Sequence, residues 1–154
     1  SISDPKLIIE NKKIKKQERS YRINKMYKPY HNKIEKKILE KKINVIISLH
    51  SFNPIFKGKK RQLKYGILSN RDRRLSDCVI RELKKKQNYV GDNEPYKGSL
   101  IGDTLYKHAL NRGIHHSLIE IRNDLLSNVK KIDQVTNLLY RVINQSIKSL
   151  SITS

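Results

Sequence analysis

The chain has 154 residues, with 34 Lys and Arg against 14 Asp and Glu, for a formal net charge of +20. That length suffices for one domain with its own core, but 36% apolar residues and no Trp mean the core must be mostly aliphatic. No stretch of about 18 apolar residues is present to span a bilayer, the N-terminus lacks a signal-peptide pattern, and the single Cys78 excludes an internal disulfide.

In chain order, residues 1–17 are polar and read as irregular, with Asp4-Pro5 as a turn signal. A helical pattern begins at Glu18, where Ile23, Met26, Tyr27, Tyr30, Ile34 and Ile38 recur at three- and four-residue steps. Pro29 lies inside the pattern and is expected to kink or divide it. Asn44–Leu49 is short, β-branched and apolar on both faces, as a buried parallel strand is. His50 to Pro54 reads as the loop that follows. Tyr65–Leu68 is a second strand, and Arg73–Lys86 a helix with Leu75, Val79 and Leu83 on one face. Tyr89-Val90 is a short strand, and 91–102 a loop rich in Gly, Pro and Asn. Asp103–Asn111 is a short helix with Asp103 as N-cap and Gly113 near its stop. Ser117–Ile121 is a third buried strand. The last helix starts near Asn128 and turns Ile132, Val135, Leu138, Leu139, Val142 and Ile143 inward.

Strands alternating with helices define an α/β fold, a three-layer and mostly parallel mixed sheet flanked by helices, with residues 1–154 in a single domain. Such folds place ligands at the carboxyl edges of their strands. Two polar side chains fall there, His50 at the end of the first strand and Glu120 near the end of the third.

A histidine at a strand end is more often structural than a ligand. Glu120 interrupts the apolar run Leu118, Ile119 and Ile121, so it must be paired or functional, because burying a lone carboxylate is costly. Its ordinary reading is an ion pair with Arg122 or a nearby Lys. Its functional reading is a base that takes a proton from an attacking water. Asn93-Glu94-Pro95-Tyr96 is on local grounds an ordinary turn that offers a carboxamide and a phenol. Arg61, Arg71, Arg73 and Arg74 flank the second strand. An anionic substrate would need at least one of them, since Arg grips carboxylates in a bidentate way.

The charge also admits a nucleic-acid partner. Lys far outnumbers Arg, in company with abundant Ile and Asn, as AT-rich coding produces. The basic residues are dispersed, and no RNP motif, zinc knuckle or helix-turn-helix pattern accompanies them. The expectation is a solvated basic surface, with no specific nucleic-acid partner and no membrane partner.

Several segments together resemble one family. Ser48-Leu49-His50-Ser51-Phe52-Asn53-Pro54 is similar to the S-x-H-S-F-x-P signature of the N-formylglutamate amidohydrolases. Gly66-Ile67-Leu68 with Asn70-Arg71-Asp72-Arg73, then Val90 to Tyr96, then Ile119 to Leu125 follow in the family's order. Tyr27 to His31 resembles the helix ahead of its first strand. The resemblance implies a zinc-carboxypeptidase-like fold related to aspartoacylases, and hydrolysis of an N-acyl, typically formyl, amide of an acidic amino acid to formate and glutamate. It implies a zinc cofactor with His50 as a ligand, Glu120 as general base, and Arg122 and Asn93 lining the pocket. Tyr96 and Arg61, on their own chemistry, are further substrate-binding candidates. The expected partner is a small anionic N-acyl amino acid, and the expected compartment is cytoplasmic. The family's other two zinc ligands precede these motifs, and nothing in residues 1–43 resembles that segment. The chain is therefore expected to be N-terminally truncated. The alternative is a metal-free member that binds an acidic metabolite or partner.

Overall fold

The computed structural model describes residues 14–98 and 102–152. The expectations for residues 1–13, an irregular stretch with a turn at Asp4-Pro5, lie outside the described residues. The chain divides into two compact units, the first ending at Ile43 and the second beginning at Asn44.

The described part of the first unit is helical. Helix α1 (Lys16–Arg22) passes through a widened π-type turn at Ile23–Tyr27 into α2 (Lys28–Lys41). Pro29 thus sits in the first turn of α2, where its missing N–H is tolerated. The expected division falls just ahead of it. Helix α2 ends at Lys42, which takes the left-handed conformation and donates its N–H to the carbonyl of Ile38.

The second unit is built on a four-stranded sheet. Its strands are β1 (Val45–Phe52), β4 (Tyr65–Leu68), β5 (Val90–Asp92) and β6 (His115–Arg122), in the order β1-β6-β4-β5. A separate hairpin joins β2 (Ile55–Phe56) to β3 (Lys59–Lys60). The outer pairs β1–β6 and β4–β5 are parallel, while the central pair β4–β6 is antiparallel. The fold is thus α/β with a mixed sheet. Two of the boundaries that differ from the sequence reading bear on the site. His50 lies inside β1, which runs on to Phe52, and β6 extends to Arg122, because the two strands stay in register from Val45–His115 to Phe52–Arg122.

One face of the sheet carries the core. Tyr65, Ile67, Ile119 and Ile121 point toward α3 (Arg74–Lys84) and α5 (Val129–Ile152), and pack with Leu75, Val79, Leu83, Val135, Leu139 and Val142. Ile67, Leu75, Val79, Leu83, Ile119 and Val142 are fully buried. Ser76 and Ser117 meet inside this layer through a 2.9 Å hydrogen bond. Ile132, expected inward, is 43% exposed, since the buried stripe of α5 runs through Val135, Leu139 and Val142. A short helix α4 (Thr104–His108) is capped as expected, the Asp103 carboxylate accepting from the N–H of Tyr106.

Chain order and spatial order conflict at one point, and this conflict positions the site. β1 and β4 are successive long strands, yet β6 lies between them. The connection carrying the hairpin and residues 61–64 must therefore cross the carboxyl end of β6.

Candidate active site

Parallel pairing sets His50 directly beside Glu120, on the sheet face away from the helical core. His50 Nδ1 lies 3.8 Å from Glu120 Oε1, too long for a hydrogen bond. The imidazole is 45% exposed and the carboxylate side chain only 5%. Glu120 Oε2 is buried and has no hydrogen-bond partner among the described residues. Burial pushes the carboxyl up from its ordinary range, and the charges of His50 and Arg61 offset this only in part. A carboxyl of this kind holds a proton more tightly than a surface glutamate does, and so is suited to receive and return one.

Two glycines make room beside Glu120. Gly66 is its register partner across β4, and Gly91 is the next residue across on β5. A Cβ on Gly66 would fall on the carbonyl oxygen of Glu94, and one on Gly91 would press Glu94 and Leu63. The loop after β5 therefore folds onto the sheet face next to Glu120. Its Glu94-Pro95 bond is cis.

This loop carries Tyr96 to Arg61. The Arg61 guanidinium donates to the Tyr96 hydroxyl and to the Asn53 carbonyl, both at 3.3 Å. It also lies over three rings, Phe52 at 5.4 Å, Phe56 at 4.6 Å and Tyr96 at 5.4 Å. Nη1 makes both hydrogen bonds, so among the described residues Nε and Nη2 keep their donors open. An arginine with its apolar faces sheathed and one edge open is a ready anion receptor.

His50, Glu120, Arg61 and Tyr96 thus gather in one place. Asn93 and Arg122 lie close by, with the Asn93 Oδ1 and the Arg122 guanidinium already engaged. Asn93, at φ 52°, accepts the N–H groups of Ser69 and Gly98 on Oδ1, both at 3.0 Å, and so folds the loop. Arg122 is buried, with Nη1 turned onto the carbonyls of residues 61–63 and the other nitrogens onto Asp124. The Arg122 guanidinium is thus spent on these partners, while Asn93 Nδ2 makes only a 3.4 Å contact to the adjacent Asp92 carboxylate. The ion pair considered for Glu120 and Arg122 does not form, since Arg122 takes Asp124 instead. Arg73 and Arg74 are likewise spent on carboxylates, Arg73 on Asp77 and Asp92 and Arg74 on Asp72. Phe52 enters the sequence reading only as part of the signature and Phe56 not at all, yet both form the sleeve of Arg61. The signal available is a pair of aromatics shortly beyond His50.

A catalytic zinc takes three protein ligands and keeps one position open. Among the described residues no three His, Cys, Asp or Glu side chains gather as a metal site. His50 offers one imidazole, so the described residues do not by themselves fit the ion.

A mixed α/β sheet thus brings a buried carboxylate, a neighbouring imidazole and an open guanidinium to one strand edge, groups able to hold an anion and to move a proton. The family model for N-formylglutamate amidohydrolase matches residues 3–127, and the chain belongs to that family. A crystal structure of a gene product of Agrobacterium tumefaciens is similar at 29% identity and a TM-score of 0.84, covering 90% of this chain and 57% of its own. The N-formylglutamate amidohydrolase of Ralstonia eutropha is similar in fold at 21% identity and a TM-score of 0.56, covering 86% of this chain and 54% of its own. The chain thus spans a little over half the length of both solved structures. No curated protein matches. Among the described residues no helix is long and apolar enough to cross a membrane.

Proposed function

We propose that this chain forms part of an amidohydrolase acting on the N-formyl, or a related N-acyl, amide of an acidic amino acid. The observation that carries the reading is the buried Glu120, with Oε2 unpartnered among the described residues and His50 Nδ1 at 3.8 Å from its other oxygen. Family membership supports the amide as the bond that is cleaved.

In this reading Glu120 takes a proton from the attacking water as its oxygen joins the formyl carbon. It returns the proton to the leaving nitrogen as the C–N bond breaks. The products are formate and the free amino acid. Arg61 holds a carboxylate of the substrate with its open Nε and Nη2 edge, while Phe52, Phe56 and Tyr96 keep the guanidinium from swinging away. Zinc is proposed for the complete protein alone, with His50 as the ligand this chain would offer.

The test is formate release from N-formylglutamate by the complete reading frame, with and without prior zinc removal, beside a Glu120→Gln variant. Hydrolysis lost on zinc removal and on substitution is the expected outcome. A Glu120→Gln variant at full rate would remove the proposed base, and full activity in zinc-free protein would remove the metal. The single histidine at the site favours a second reading, a metal-free member that binds an acidic metabolite. It predicts glutamate binding without formate release.

A further inference from the structure

The segment that crosses the end of β6 is tied at its ends by backbone hydrogen bonds, Arg61 N–H to the Pro54 carbonyl, Lys64 N–H to the Tyr89 carbonyl and Arg122 N–H to the Lys64 carbonyl, and between them by one side chain. Arg122 Nη1 points at three successive carbonyls, Arg61 at 2.8 Å, Gln62 at 3.1 Å and Leu63 at 3.4 Å. Its Nε and Nη2 fork onto the Asp124 carboxylate at 2.7 and 3.2 Å. Carbonyls that converge on one cation repel one another without it, so between those end bonds the guanidinium fixes the path of the crossing. Arg61 is the first clamped residue, and its side chain reaches from that backbone to the aromatic sleeve beside Glu120.

We propose that Arg122 is a positioning residue for a carboxylate subsite at Arg61, acting on the substrate through the clamped backbone of residues 61–63 and never by touching it. The inference rests on the reading of Arg61 as the anion-binding group. It reverses the expectation that Arg122 lines the pocket. A lysine could not replace Arg122, since one Nζ cannot both span the carbonyls and fork onto Asp124. Asp124 orients Arg122 from its half-exposed side, where the guanidinium holds its carboxyl below the usual carboxylate range.

The test uses glutarate, a dicarboxylate with no scissile bond, added to the full chain while the arginine Nε–H signals are followed by NMR. Glutarate is expected to shift the Arg61 signal and leave the Arg122 signal in place. Arg122→Lys should weaken glutarate binding by about tenfold, and Asp124→Asn by about threefold, in line with the coupling of neighbouring residues. The Asp124 variant keeps the test sharp should Arg122→Lys fail to fold. With N-formylglutamate both losses should fall on KM, with kcat kept within about threefold. An Arg122 signal that moves as far as that of Arg61 would mean direct contact and overturn the proposal. Unchanged glutarate affinity in Asp124→Asn would also overturn it, and a wild-type protein that ignores glutarate would remove the subsite itself. Coupled glutarate binding without formate release would leave the role of Arg122 standing and remove only the hydrolytic reading.

Discussion

Replacing Glu120 by Gln should make the protein more stable, in a pH-dependent way, and nearly abolish the proposed hydrolysis. The carboxylate side chain is 5% exposed, and Oε2 has no hydrogen-bond partner among the described residues. Burial raises the folded-state pKa above the ordinary 4.5. The folded protein therefore binds this proton more tightly than the unfolded chain does. The contribution of Glu120 to stability is greatest below pH 4.5, declines as pH rises from there through the raised value, and levels off above it. Above that window the ionised group costs the folded state on the order of 1–3 kcal/mol, the range for a buried polar atom left unsatisfied. Gln removes the charge but keeps a polar amide in the same place, so about 1 kcal/mol should be recovered at about pH 8 and almost none at about pH 4. For a protein of this length that is a rise in Tm of roughly 2–4 °C. Formate release should fall by about 10²–10⁴, the usual contribution of a general base. In the wild type the rate should be lost as pH falls through the raised value, with the acid limb centred above pH 4.5. Urea unfolding at about pH 4 and about pH 8, beside the formate assay, measures both arms. A Glu120→Gln variant less stable than wild type at the higher pH, or shifted equally at both, would show that the folded state favours the carboxylate and would refute the reasoning.

Arg61→Gln should raise KM for N-formylglutamate by roughly 10- to 100-fold with a smaller change in kcat, as expected when a charged hydrogen bond of about 1.5–3 kcal/mol is lost. A KM within twofold of wild type would place the carboxylate elsewhere. Gly66→Ala puts a methyl group on the Glu94 carbonyl and should cost about 1–3 kcal/mol in urea unfolding, because backbone rather than a flexible side chain must yield. Ser76→Ala should cost about 1–2 kcal/mol by orphaning the Ser117 hydroxyl, and adding Ser117→Ala should recover part of that loss, since the double variant leaves neither hydroxyl buried without its partner. Equal losses that simply add would mean the 2.9 Å bond contributes little.

The two central residues are legible because each interrupts a pattern. Glu120 breaks an apolar run that has no other reason to hold a charge, and His50 comes directly after one. Their pairing needs the family order of motifs, since the strand register that sets them side by side is a long-range property. The fate of Arg122 and Asn93 is illegible for a different reason. Residue type states what a side chain can donate or accept, but not whether that capacity is already used. Arg122 spends its donors on carbonyls of residues 61–63, and no local pattern links those positions. The hairpin at Ile55–Phe56 and Lys59–Lys60 leaves no trace in the sequence because two-residue strands, half of them lysine, carry no alternation to read.

The antiparallel insertion of β4 explains why the remaining pieces sit where they do. Had β4 run parallel to β6, its amino end would lie at the far edge of the sheet, and the chain leaving β1 would return along the length of the sheet instead of staying at one end. Because it runs back, the connection stays at the carboxyl end of β6, delivers Arg61 there, and gives Arg122 a row of carbonyls to hold. The same reversal sets Gly66 opposite Glu120, which opens the face for the loop that brings Tyr96. One topological choice thus supplies the anion-binding side chain, its clamp and the wall of the site. The juxtaposition of His50 and Glu120 depends instead on the parallel pairing of β1 with β6. On the proposed function the binding half and the proton-transfer half of the site are therefore separable, and substitutions in the crossing should alter affinity before they alter the chemical step.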